Sequence, residues 1–156
     1  MRRVEHNALA VPKRFASLVI AWSRARVLRA EWEKEDRKIR RDTKRKGAGE
    51  ALALSELTRW LTFYSLWLAC LYVVVEGYRE SVRDSASLLY SPRIEELLAD
   101  EEREKTLRSY RNKILHPEPY DHPAISKVQR EYRKFAVWAA MLTDEFDRLF
   151  AARLKT

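Results

Sequence analysis

The chain has 156 residues, 46% of them apolar and 35% charged, with three glycines, five prolines, one cysteine and a net charge of +8. That apolar content excludes a disordered chain, and so few breakers beside abundant Leu, Ala, Arg and Glu exclude a hairpin-rich β fold. A lone cysteine, Cys70, excludes an intramolecular disulfide and reads as a buried small hydrophobe.

The expectation is therefore an all-α protein, one domain over residues 1–156, with a basic N-terminal helix over about 12–46 and a bundle core over about 55–154. The first segment has no apolar core with a small-residue cleavage site, so no signal peptide is expected and the protein is read as cytoplasmic. Pro12 suits a first helical turn, and Phe15, Leu18, Val19 and Trp22 follow a helical period. The apolar stripe fades after Trp32, which predicts C-terminal turns projecting beyond the core up to Gly47 and Gly49. Residues 1–46 hold fifteen Lys and Arg against six Asp and Glu, so the basicity of the chain belongs to this helix. Within it "KEDRKIRRDTKRK", ending in Lys44, Arg45 and Lys46, has a charge density suited to a polyanion such as RNA. The alternative is a solvated helix end kept soluble by charge.

A second helix runs from about Ser55 to Arg83. Its uncharged run, Trp60 to Val75, has sixteen residues, short of the roughly 20 that span a bilayer, and reads as a buried core helix. Glu76 closes that run, either as a boundary or as an inward group with a buried partner. A third helix starts at Ser91 and Pro92, with a break near Asp100, and continues through "LRSYRNKIL". The last starts near residues 121–123 and carries the cleanest core stripe: Val128, Tyr132, Phe135, Ala139, Leu142, Phe146 and Leu149. The short connection from Leu115 to His122 predicts antiparallel neighbours in a four- to five-helix up-and-down bundle.

The junction "SYRNKILHPEPYDHP" holds the candidate site. Pro117 disfavours the α region at His116, so the helix should end near Leu115 and leave the imidazole at its C-terminus. Carbonyls there favour the cation of a group whose reference pKa is about 6.5, which suits proton transfer near neutrality. Arg111 is planar and permanently charged, suited to grip a phosphate. Asn112 stands four residues before His116 and can orient the ring or donate to a phosphate oxygen. These types suit cleavage of RNA by its own 2′-hydroxyl, a reaction that uses no metal. One imidazole cannot easily stand on both sides of the phosphate, so a two-fold dimer would supply the second. The alternative is structural: Arg111 pairs with an acid such as Glu104 or Glu118, and His116 is a polar helix end. Tyr110 could stack on a base or pack in the core. Three scattered His and one Cys match no usual metal spacing, and no cofactor is expected.

"RNKILH" resembles the Arg-Asn-x-x-x-His form of the signature of the HEPN superfamily, the higher eukaryote and prokaryote nucleotide-binding domains. "LWLACLYVVVEGYRE" and "LRSYRNKILHPEPYD" resemble the two marked segments of a bacterial group of that superfamily, over roughly residues 55–150. The resemblance implies a helical bundle that dimerises around the motif and acts as a metal-independent endoribonuclease, a toxin or anti-phage effector. It implies Arg111 and His116 as the catalytic pair, Asn112 as their helper and Glu76 as an acid positioning the motif. Tyr110 is a candidate supporting residue, and Lys113 joins Lys44, Arg45 and Lys46 as candidate RNA contacts. An antitoxin or other defence-system protein is an implied partner; no membrane partner is expected. Inactive scaffolds in the same superfamily, and a nucleic-acid-binding accessory subunit, are the competing readings.

Overall fold

Ser91 and Asp100 punctuate the middle of the chain as local chemistry requires. The Ser91 Oγ accepts from the Ile94 backbone N at 3.4 Å with Pro92 in the first turn, and Asp100 Oδ1 accepts from the Arg103 N at 3.1 Å, each filling an otherwise orphaned donor. The computed structural model describes residues 13–46, 54–84, 89–115 and 125–154, with side chains described for 15–45, 55–83, 89–112 and 132–154. The described residues form five helices and no strand: α1 (Lys13–Lys46), α2 (Leu54–Asp84), α3 (Pro92–Leu98), α4 (Glu101–Leu115) and α5 (Ile125–Arg153). The break at Asp100 is what makes the count five.

α2 is the central element because its apolar residues run nearly all round it, so neighbours are needed on several sides. α1 lies antiparallel along one side. Leu18 meets α2 at Gly77, where an added Cβ would stand 2.9 Å from Leu18 Cδ1. Trp32 stacks on Trp67 at 5.1 Å, and Lys38 pairs with Glu56 at 3.0 Å. On another side α4 runs antiparallel to α2. α5 closes the bundle: Trp22 meets Phe150 at 5.0 Å, the Trp67 Nε1 donates to Thr143 Oγ1 at 3.3 Å, and the Trp138 Nε1 donates to the Leu97 carbonyl of α3 at 3.1 Å. Ala139, Leu142 and Phe146 of the α5 stripe are buried, with Tyr132, Phe135 and Leu149 packed against the core. Val128 lies outside the described side chains.

Two expectations need correction. The inward face of α1 does not end at Trp32. It continues through Glu35, Asp36 and Ile39, which are 8%, 6% and 6% exposed, the i+3, i+4 and i+7 positions that follow Trp32 on a helix. Reading hydrophobicity alone misses this, since two of the three carry charge that is met by partners. Glu35 pairs with Arg59 at 2.9 Å, while Asp36 accepts from Arg40 Nε at 2.6 Å and from Trp60 Nε1 at 3.2 Å. Cys70 is half-buried rather than buried. Burial still pushes its thiol pKa up, against an opposing pull from Arg24.

Ser55–Arg83 is long and apolar enough, by length and composition, to cross a membrane, and 44% of its most apolar window is buried among the other helices. Leu66, Ala69 and Val73, at i, i+3 and i+7, form a partly exposed stripe on its outer side, with Val73 44% exposed.

Candidate functional site

Matching spacings on two antiparallel helices build the site. α2 carries Tyr72, Glu76 and Arg79 at i, i+4 and i+7, and α4 carries Glu104, Arg108 and Arg111 at the same spacing, so each trio lines one face. Arg111 Nη1 donates to Glu76 Oε1 at 2.8 Å, and Arg79 Nη2 donates to Glu104 Oε2 at 2.6 Å. The guanidinium carbon of Arg111 also stands 5.7 Å from the centre of the Tyr72 ring, a cation–π contact. Glu104 is thus engaged by Arg79, and the acid that Arg111 finds is Glu76.

The Arg111 and Glu76 side chains are 38% and 39% exposed. Their pair is therefore a surface contact that orients more than it stabilises. It engages one terminal nitrogen of the Arg111 fork; the Nε and Nη2 edge makes no hydrogen bond to a described residue, which leaves a planar pair of donors matched to phosphate or carboxylate oxygens. Tyr72 is buried beneath. Burial, then the Glu76 charge, pushes its hydroxyl pKa up, with Arg108 pulling the other way. Three guanidinium groups here face two carboxylates, and the uncompensated cation is Arg108, exposed and without an ion pair to any described residue.

Asn112 is exposed at the position after Arg111. Tyr110 points elsewhere: its ring meets Tyr64 edge-on at 5.6 Å and stacks on Phe135 at 6.1 Å, which places it in the aromatic layer between α2, α4 and α5. His116 lies outside the described residues, as do Pro117, Glu118 and His122. Lys113 belongs to the last turn of α4 and Lys46 to that of α1, with side chains outside the described set. Lys44 and Arg45 are exposed at the end of α1 and have no ion pair among the described residues. No group of three or more His, Cys, Asp and Glu among the described residues is placed to hold a metal ion.

The structure therefore brings Arg111 and Glu76 together with Asn112 beside them, and it sets Lys44 and Arg45 at the far end of α1. Sequence reasoning missed Tyr72 and Arg108. Both carried a signal, Tyr72 four residues before Glu76 and Arg108 three before Arg111, each on the face of its more conspicuous neighbour. Comparison of the chain with protein-family models, curated proteins and solved structures yields no match.

Proposed function

We propose that the protein is a metal-independent endoribonuclease of the HEPN type, working as a homodimer whose active site is shared between two copies. The observation that supports this most is the 2.8 Å pair between Glu76 and Arg111, because it joins the two segments that carry the resemblance through the residues the resemblance selects. Arg111 offers its Nε and Nη2 edge to the scissile phosphate and to the charge that grows there. The 2′-oxygen attacks phosphorus, its proton passes to one His116, and the bond from phosphorus to the 5′-oxygen breaks as the His116 of the second copy protonates that oxygen. The products are a 2′,3′-cyclic phosphate and a 5′-hydroxyl end. Asn112 orients the imidazole or donates to a phosphate oxygen. The partly exposed stripe of Leu66, Ala69 and Val73 ends one residue past Tyr72 and supports a seat for the second copy beside the site.

The same stripe favours a second reading, a non-catalytic interaction module that holds a protein partner in a defence complex. One experiment separates the two. Purified wild type is expected to leave 5′-hydroxyl ends on RNA in the presence of EDTA, with Arg111→Ala and His116→Ala each at least 100-fold slower. Wild type that leaves varied RNAs uncut and behaves like both variants would sink the ribonuclease reading. Growth arrest on expression that disappears with His116→Ala would sink the module.

A further inference from the structure

The buried acids of α1 sort its charge. Glu35 and Asp36 turn inward to Arg59, Arg40 and Trp60, so the surface of the last turns is left to the cations. Arg41, Lys44 and Arg45 are exposed, at i, i+3 and i+4, and none has an ion pair to a described residue; Asp42 is the one acid among them. Arg133 and Lys134 of α5, also exposed and without ion pairs to described residues, stand at the same end of the bundle. Their neighbour Tyr132 meets Trp60 edge-on at 6.1 Å, and Trp60 is the residue that binds Asp36.

The α1 part of this end is far from Arg111; Arg133 and Lys134 stand nearer, since the ring of Tyr132 beside them lies 6.3 Å from that of Tyr110, the residue before Arg111. α1 is tied to α2 at Glu56 by Lys38 and α4 at Glu76 by Arg111, and those twenty residues of helix span about 30 Å. An anionic membrane is a poor match for the cluster. Interfacial helices insert an apolar face, whereas Trp32 and Ile39 of α1 are buried against α2 and none of the large exposed apolar side chains lies between residues 34 and 45. A phosphate strand asks only for a row of unpaired cations.

We propose that Arg41, Lys44 and Arg45, with Arg133 and Lys134, anchor the same RNA molecule that Arg111 grips. The substrate class is then RNA several nucleotides long, about nine if the strand keeps a stacked helical rise of about 3.4 Å per phosphate over about 30 Å, and not a dinucleotide. This rests on the ribonuclease reading for the identity of the polyanion.

The test measures fluorescence anisotropy of 5-nucleotide and 20-nucleotide single-stranded RNA on the His116→Ala protein across a salt series. The 20-mer is expected to bind at least 10-fold more tightly. The combined Arg41→Ala, Lys44→Ala and Arg45→Ala variant should lose that advantage and lower the salt slope of 20-mer binding by about 2, at about 0.7 per phosphate contact. Equal binding of the two lengths, a length preference the triple variant keeps, or tighter binding to phosphatidylserine vesicles than to the 20-mer overturns the proposal. Cleavage by otherwise wild-type protein is scored separately. A 20-mer cut with kcat/KM unchanged by the triple substitution rejects the anchor and spares the ribonuclease; length-dependent binding without cleavage does the reverse.

Discussion

Under the ribonuclease reading, Glu76 matters to function while contributing little to stability. It and Arg111 are each more than a third exposed, so solvent screens their attraction and the pair is worth at most about 1 kcal/mol. Its effect is geometric: it holds one nitrogen of a long, flexible side chain and presents the opposite edge of the fork outward. Glu76→Gln is accordingly expected to lower stability in urea by less than about 1 kcal/mol while lowering kcat for RNA cleavage about 10-fold or more with KM little changed, because a misplaced guanidinium costs the transition state more than the ground state. Glu76→Asp should restore part of the rate. A variant that loses stability and rate in proportion, or rate not at all, argues against positioning.

At the scale of elements, short-range chemistry decides where helices begin, and charge decides which of their faces turn inward. α3 is one such case. It has only seven residues, too few to be stable alone, and it is held by its Ser91 cap, by Tyr78, whose hydroxyl meets the Ser91 backbone N at 3.2 Å, and by burial of Ile94, Leu97 and Leu98. Ser91→Ala should cost about 1 kcal/mol, measured by thermal or urea denaturation; Ser91→Asp should retain most of it, and an unchanged Ser91→Ala would mean the cap is idle. α1 is the converse case, a helix whose inward face includes two carboxylates that a count of apolar residues passes over.

For the molecule as a whole, the core is a layer of rings. Trp32, Trp60, Tyr64 and Trp67 meet one another between α1 and α2, and Tyr110 and Tyr132 extend the layer to α4 and α5. Burying phenols this way has a pH consequence. Burial pushes the Tyr64 hydroxyl well above its ordinary range, does the same for Tyr72, and pushes Tyr78 up to about 12. A tyrosine whose folded pKa exceeds its unfolded value of about 10 binds its proton more tightly when folded. Stability is then full below about pH 10 and falls as pH rises from there toward 12. Urea midpoints taken between pH 8 and 11.5 should stay flat at first and drop above 10; a flat profile throughout would contradict the burial of these hydroxyls.

The sequence by itself determined the class, the helices and the caps, because few breakers, a 3.6-residue period and residues such as Ser91 and Pro92 act over a few positions along the chain. It also placed Arg111 and Asn112 together, since adjacency in a helix is local. Only the tertiary structure decided what faces them. That Arg111 pairs with Glu76 and not Glu104, that Arg108 has no ion pair to a described residue, and that Glu35 and Asp36 turn inward beneath Arg41, Lys44 and Arg45 all depend on the register between helices. That register is set by side chains packing across distances the chain does not encode as spacing.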